Sequence, residues 1–321
     1  MKIQYREFTR PSACGEGEVF SRSWQPDSAP HAIIQIAHGM QEHAGRYDRF
    51  ARRLAENGWA VYANDHIGHG KSAMGHMGTF SLMPGGFEFL LADMHTLFAY
   101  ARDEHPDLPC ALLGHSMGSI ASGIFPARYD DAEILILMGT PAPNALAGFG
   151  AVLAGAAARL KGPTAQSPLI TRLADANTGA GSSRDPMERN AWLSRDENEV
   201  RRAIADPLFG NPFSASAYRE LFRALREFGS RKWAGSVKNI PILITAGAAD
   251  PCGRCGAGPK HYAEALRSSG HTDVTLKLYD GARHELLNEL NHTEVEDMLI
   301  AFLAQKLESL SAGRNENGHA Q

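Results

Sequence analysis

The sequence predicts an α/β fold, built as a mostly parallel, doubly wound sheet with a helical insertion. Short apolar runs with the composition of buried strands alternate with longer segments whose apolar residues recur at helical spacing. This alternation is typical of folds that cover both faces of a parallel sheet with helices. Residues 140–239 separate two successive predicted strands, which is far more chain than one crossover helix needs. The 321 residues are sufficient for such a fold around one large core.

Eight segments are predicted as strands because they are short, apolar and bounded by turn residues. They are residues 3–8, 19–24, 31–37, 59–63, 110–113, 134–138, 240–246 and 274–279. Helices are predicted where apolar residues fall on one face of a 3.6-residue repeat. The clearest of these are residues 47–55, 87–98, 117–127 and 295–303.

This pattern divides the chain into a core, an inserted cap and a tail. We expect the core to comprise residues 1–139 and 240–310, the cap to comprise residues 140–239, and residues 311–321 to be a disordered polar tail. Within the cap the sequence shows four distinct stretches. They are an apolar segment at 145–158, a segment rich in Gly, Ser and Pro at 179–186, and helical patterns at 189–202 and 214–228.

Composition excludes several classes of partner. The formal net charge is −4, without a basic stripe or an acidic block, so a nucleic-acid partner is not expected. The first residues lack the apolar region of a secretory signal, and no run approaches the roughly 20 apolar residues of a membrane-spanning helix. We therefore expect a cytoplasmic protein.

The cysteines predict neither a disulfide scaffold nor a metal centre. The chain has four cysteines, Cys14, Cys110, Cys252 and Cys255, too few and too scattered for a disulfide framework in a chain of this length. Cys252 and Cys255 form a C-x-x-C pair, but a zinc site needs a second pair of ligands, which the sequence does not offer. No metal and no cofactor are expected.

Residues 114–118 read Gly-His-Ser-Met-Gly and directly follow the predicted strand 110–113. This is the G-x-S-x-G pattern of a nucleophile elbow, in which two glycines permit a sharp strand-to-helix turn that exposes the serine hydroxyl. The pattern predicts that Ser116 is a catalytic nucleophile.

A serine hydroxyl needs a base to accept its proton and an acid to orient that base. In folds with this elbow, the acid and then the histidine follow the serine, on loops after later strands. Asp250 follows the predicted strand 240–246, and His284 follows the predicted strand 274–279. We therefore predict a catalytic triad of Ser116, Asp250 and His284.

An oxyanion intermediate needs two preorganised N–H donors. One is expected from the residue after the nucleophile, Met117. The other is expected from Met40, because His38-Gly39-Met40 follows the first long core strand, where the second donor of such sites lies.

Four segments carry a resemblance to a known family: residues 38–47, 65–72, 114–118 and 281–286. At these residues the chain resembles the α/β-hydrolase fold, and within it the monoacylglycerol lipase and lysophospholipase family. Its cap is similar to the bacterial lysophospholipase branch at residues 190–196 and 206–209, and it departs from the family at Ser119, where a third glycine is more common. The resemblance implies a carboxylic ester hydrolase that acts through an acyl-enzyme on lipids with a single acyl chain.

Several alternatives stay open at this point. A serine aminopeptidase that releases N-terminal proline shares the elbow and needs a carboxylate in the cap to bind an α-amine. The candidates for that carboxylate are Asp196, Glu197, Glu199 and Glu220. A non-catalytic ligand receptor on the same fold is a further interpretation.

We expect the apolar segment 145–158 to lie over the active-site mouth and to contact a membrane or micelle. Packing of this segment against the core or a dimer partner is the competing interpretation. Headgroup, chain length and oligomeric state are not determined.

Overall fold

The computed structural model of the protein describes residues 2–73, 75–174 and 183–318, with side chains of the last helix described through residue 312. Its centre is an eight-stranded sheet with the strand order β1-β2-β4-β3-β5-β6-β7-β8. The strands are β1 (Ile3–Pro11), β2 (Glu18–Pro26), β3 (Ala32–Ala37), β4 (Trp59–Asn64), β5 (Cys110–His115), β6 (Ile134–Met138), β7 (Ile242–Gly247) and β8 (Val274–Tyr279). Because each predicted strand is present, the prediction of an eight-stranded sheet is confirmed.

The sheet is antiparallel at one edge and parallel elsewhere. β2 pairs antiparallel with β1 and with β4, whereas β3 to β8 pair in parallel with their neighbours. The central strands are buried at every position, as expected for a parallel sheet covered on both faces. The carboxyl ends of β5, β7 and β8 therefore lie at the same edge of the sheet.

Five helices cover the two faces of the sheet. α1 (Asp48–Glu56) and the closing helix, here α11 (His292–Gly318), pack on one face. α2 (Gly86–Glu104), α3 (Met117–Ile124) and α10 (Ala257–Ser268) pack on the other. α3 is shorter than predicted, and a 3₁₀ turn continues it at Phe125–Ala127, because Pro126 has no N–H to donate to the helix.

The structure also differs from the predicted ends of the chain segments. β7 begins at Ile242 and not at residue 240, because Pro241 cannot donate to a strand ladder. α11 continues to Gly318, into the segment predicted as disordered, since extending an established helix costs little compared with starting one. Residues 319–321 lie outside the described residues.

Between β6 and β7 the described residues form helices and no strand. These are α4 (Ala147–Lys161), α5 (Pro168–Ala174), α6 (Pro186–Asn190), α7 (Glu197–Ala205), α8 (Ala215–Phe228) and α9 (Arg231–Ser236). The helix predicted at 189–202 is two helices, because the Asp196 side chain caps the start of α7 by accepting from the Asn198 N–H. Residues 179–182 of the predicted Gly, Ser and Pro-rich stretch lie outside the described residues.

None of the helices in the described ranges has both the length and the hydropathy needed to cross a bilayer.

Candidate active site

Ser116 occupies a sharp turn between β5 and α3. Its backbone angles are φ 55° and ψ −117°, a conformation that non-glycine residues rarely adopt and that costs on the order of 1–3 kcal/mol. The flanking glycines make the turn sterically feasible. A Cβ on Gly114 would lie 2.2 Å from the Gly118 carbonyl oxygen, and a Cβ on Gly118 would lie 2.1 Å from the Ala37 carbonyl oxygen. The local sequence therefore folds as the elbow that the pattern predicts.

The structure brings Ser116, His284 and Asp250 together from loops far apart in the chain. Ser116 Oγ lies 2.9 Å from His284 Nε2, and His284 Nδ1 lies 2.9 Å from Asp250 Oδ2. His284 and Asp250 are 2% and 0% exposed. The second carboxylate oxygen, Asp250 Oδ1, accepts from the Cys252 N–H at 2.8 Å, which fixes the orientation of the carboxylate.

The charge of Asp250 affects the acid–base behaviour of His284. Burial by itself disfavours the imidazolium, but the Asp250 charge and its hydrogen bond outweigh burial and raise the pKa of His284 above its usual value. A histidine of this kind can accept a proton and stabilise the resulting positive charge.

Met40, Ser116 and Met117 all line one cavity. Met117 is the first residue of α3, where the N–H has no acceptor within the helix. Among the described residues, neither main-chain N–H donates to another group. Both residues line the same cavity as the serine, and their role as oxyanion donors stays a prediction.

A buried carboxylate, Glu42, joins the turn at Gly39 and Met40, the proposed oxyanion turn, to the elbow. Its Oε1 accepts from the Gly39 N–H at 2.5 Å and from the Tyr47 hydroxyl at 2.8 Å, and it lies 3.1 Å from His115 Nδ1. Its Oε2 accepts from Arg46 at 2.9 Å. Burial would raise the pKa of Glu42, but the His115 hydrogen bond and the Arg46 charge hold it well below its usual range.

Arg46 extends this network to the histidine loop. Its two terminal nitrogens donate to the two carboxylate oxygens of Glu285 at 2.6 and 2.8 Å. Sequence reasoning did not assign roles to Glu42, Arg46 or Glu285. The available signal was their position inside residues 38–47 and 281–286, two of the segments that carried the family resemblance.

Ser116 opens into a cavity of about 560 Å³. Its apolar walls come from Ile120 of α3 and from residues between β6 and β7, namely Leu193, Ile204, Phe209 and, on α8, Leu221, Phe222 and Leu225.

The prediction that residues 145–158 cover the active-site mouth is wrong for the described residues. No residue of α4 lines the cavity; α4 packs instead on the outside of α8. Its glycines permit this close approach, since a Cβ on Gly150 would lie 3.0 Å from the Phe222 ring.

Comparison with known proteins identifies the family. Residues 28–291 match the profile described as serine aminopeptidase, S33. The chain belongs to this family. The S33 chain is 32% identical to a monoacylglycerol lipase of Mycolicibacterium smegmatis over 285 residues, 88% of this chain and 92% of the relative. It is 30% identical to a monoglyceride lipase of Mus musculus over 276 residues, 85% and 81% of the two chains.

Solved structures agree with this assignment. A thermostable carboxyl esterase from Bacillus coagulans, solved in complex with glycerol, superposes with a TM-score of 0.86 at 29% identity, over 94% of this S33 chain and 99% of that one. These similarities show that this S33 protein is a carboxylic ester hydrolase with an α/β-hydrolase fold. The predicted family resemblance and the predicted enzyme class are therefore confirmed.

Proposed function

We propose that this protein hydrolyses the ester bond of lipids with a single acyl chain, with monoacylglycerol or lysophospholipid as the substrate. The observation that carries the proposal is the hydrogen-bonded series Ser116, His284 and Asp250 at the wall of an apolar cavity. A volume of about 560 Å³ lies in the range of pockets that enclose a small organic ligand.

The proposed reaction has two steps. His284, oriented by Asp250, takes the Ser116 proton as the serine attacks the ester carbonyl, and the N–H groups of Met40 and Met117 stabilise the oxyanion. The tetrahedral intermediate collapses to an acyl-enzyme, and His284 gives the proton to the departing alcohol. Water then attacks the acyl-enzyme with His284 again as the base, which releases the fatty acid and restores the serine.

The substrate class is supported by the relatives and by the cavity. Two relatives are named as lipases of monoacylglycerols, and the similar esterase structure holds glycerol. The α8 side chains that line the cavity, among them Leu221, Phe222 and Leu225, offer an acyl chain an apolar surface and no charge.

The aminopeptidase alternative is less well supported by the geometry. Of the described residues, Asp196, Glu197, Glu199 and Glu220 do not line the cavity. The carboxylates that do line it, Glu42 and Glu285, are already paired with Arg46. An α-amine would therefore have to break a buried ion pair, which is costly.

We also propose that the outer face of α4 rests on a micelle or bilayer. Leu146, Phe149, Val152 and Leu160 are between 58% and 84% exposed, and such exposed apolar groupings commonly mark interaction surfaces. Replacing Phe149 and Val152 together by serine is expected to reduce turnover of vesicle-bound monoacylglycerol more than turnover of a soluble short ester. An equal effect on both substrates would contradict membrane contact through α4.

Ser116→Ala tests the catalytic proposal. We expect it to lower kcat for a short nitrophenyl ester by about 10⁴-fold or more and to leave the circular dichroism spectrum unchanged. Ser309→Ala, on the exposed surface of α11, is the matched control and should retain full activity. Turnover by the Ser116 variant would refute the assignment of Ser116 as the nucleophile.

A screen of monoacylglycerols, lysophospholipids and aminoacyl-proline amides, carried out on the wild-type enzyme, separates the substrate classes.

A further inference from the structure

The loop that carries His284 is held by the cap as well as by the core. Residues 191–195, which we call the strap, connect α6 to α7 and run beside this loop. The Glu285 N–H donates to the Leu193 carbonyl at 2.8 Å, and the His284 N–H donates to the Trp192 carbonyl at 3.4 Å. The backbone at the candidate base is therefore hydrogen-bonded to the inserted cap.

Two arginines and a buried glutamate fasten the strap to the loop. Glu289 is fully buried, and its carboxylate accepts from Arg195 Nε at 2.8 Å and from the Arg283 N–H at 2.7 Å. Arg283 Nη1 donates in turn to the carbonyls of Ala191 at 2.6 Å and Ser194 at 3.1 Å. Because charge-assisted hydrogen bonds are among the stronger ones in proteins, the strap and the loop form one unit.

The strap also carries an aromatic ring to the imidazole. The ring centroid of Trp192 lies 4.7 Å from that of His284, at an interplanar angle of 47°. The Trp192 Nε1–H is buried and has no hydrogen-bond partner among the residues that the structure describes, although buried indole N–H groups usually have one. The indole therefore contacts His284 through its ring, and its Nε1–H makes no hydrogen bond to the imidazole.

This contact supplies a restraint that the triad hydrogen bonds lack. The bonds to Ser116 and Asp250 act on the two ring nitrogens of His284, but they do not bear on the faces of the ring. A neighbouring ring limits tilting of the imidazole. The His115 ring, at 4.9 Å, is the other aromatic neighbour of the imidazole among the described residues.

We propose that Trp192 is a positioning residue for His284, carried to the imidazole by the strap. The inference rests on the proposed function, in which His284 is the general base. A misplacement of about 1 Å in a catalytic group can cost about 100-fold in rate, so loss of the indole should be visible in the chemical step.

The test compares Trp192→Ala and Trp192→Phe, assayed with 4-nitrophenyl acetate because its short acyl group depends least on the cavity walls. Trp192→Ala is expected to lower kcat by about 10- to 100-fold with little change in KM. Trp192→Phe should recover most of kcat, because the indole N–H has no partner to lose. Arg201→Ala, which removes an exposed ion pair with Glu197 on α7, is the matched control and should behave as wild type.

Proton NMR supplies a readout that a general loss of stability would not move. The far-downfield resonance of the His284 Nδ1–H should broaden in Trp192→Ala and remain sharp in Trp192→Phe. Wild-type kcat in Trp192→Ala, a loss confined to KM, or a loss that phenylalanine does not restore would overturn the proposal.

Two further variants keep the test decisive. If Trp192→Ala does not fold, Trp192→Leu removes the aromatic ring and keeps an apolar side chain at this position, and an unchanged kcat in that variant would overturn the inference. His284→Ala examines the proposed function separately. Activity in His284→Ala would reject the general-base role itself, whereas an inactive His284→Ala beside a fully active Trp192→Ala would reject only the positioning role.

Discussion

Glu42 is the residue at which the oxyanion turn, the elbow and the histidine loop are joined. Its carboxylate accepts from the N–H of Gly39, the residue that precedes Met40, and lies within hydrogen-bond distance of His115, the residue that precedes Ser116. It also accepts from Arg46, which in turn donates to Glu285. A carboxylate that is 3% exposed is stable only while its donors are in place. Its charge therefore ties the geometry of three separate loops to one another.

Glu42→Gln should weaken both folding and catalysis. The amide keeps the shape but removes the charge, which leaves Arg46 with one buried partner fewer, so we expect the free energy of unfolding to fall by about 3 kcal/mol. kcat should fall as well, because the amide has one acceptor oxygen and cannot accept from both the Gly39 N–H and Arg46. Urea denaturation with parallel ester assays measures both effects. Glu197→Gln, which alters an exposed ion pair, should change neither the free energy of unfolding nor kcat. Equal values of both quantities in the two variants would contradict the role assigned to Glu42.

The raised pKa of His284 predicts the pH dependence of activity. Only the neutral imidazole can accept the serine proton, so kcat/KM should fall as the pH drops through a pKa above 6.5. Asp250→Asn removes the charge that raises this pKa, so its much weaker activity should show an acid limb at lower pH. Steady-state kinetics from pH 5 to 9 measure both profiles, and an acid limb at the same pH in both proteins would contradict the assigned cause.

At the scale of elements, the site depends on how closely α3 approaches β3. The start of α3 has glycine at position 118 because the Ala37 carbonyl lies where a side chain would be. This contact places the Met117 N–H beside the turn that holds Met40. The proposed oxyanion site needs helix and strand to meet at backbone distance, because both of its proposed donors are main-chain N–H groups.

Gly118→Ala should therefore be strongly destabilising. The added Cβ would lie 2.1 Å from a backbone oxygen, which cannot move aside as a flexible side chain would, so we expect a loss of about 3 kcal/mol. Gly235→Ala is the matched control, because no atom lies within 4 Å of the added Cβ. Thermal unfolding should show Gly235→Ala unchanged or more stable by about 0.4–1 kcal/mol. Equal melting temperatures would refute the steric account.

At the scale of the whole molecule, a buried histidine cluster supports the core behind the oxyanion turn. The ring centroid of His38 lies 4.1 Å from that of His66 and 5.2 Å from that of His69, and the three side chains are at most 2% exposed. Burial lowers the pKa of His66 to about 3 and that of His69 to about 4. The fold therefore holds these imidazoles in the neutral form.

Stability should decrease on acidification before most carboxylates titrate. Unfolded histidines bind protons near pH 6.5, whereas the folded cluster does not until about pH 4 for His69 and about 3 for His66. The unfolded state thus binds more protons across this interval, and the free energy of unfolding should fall as the pH drops from 6.5 towards 4. Urea midpoints at pH 7.5, 6 and 5 measure this, and a constant value would contradict it.

Much of this arrangement could be predicted from local sequence. The strands and the elbow are readable because each depends on residues within a few positions, such as the alternation of apolar runs or the glycines around Ser116. The cap was harder. The strap interrupts a predicted helix. The apolar segment that becomes α4 packs on α8 and not over the cavity, because helix packing depends on the complementary shapes of helices that are far apart in the sequence.

The sequence alone determined the positions of the strands along the chain, the fold class, and the residues Ser116, Asp250 and His284 as candidates, since these follow from short-range periodicity and from position after a strand. Only the tertiary structure decided what surrounds them. Glu42 and Trp192 come into contact with the candidate site from segments distant in the chain, and Glu285, beside His284, pairs with the distant Arg46. A buried charge or ring takes its role from the neighbours that folding brings to it, and no local pattern specifies those neighbours.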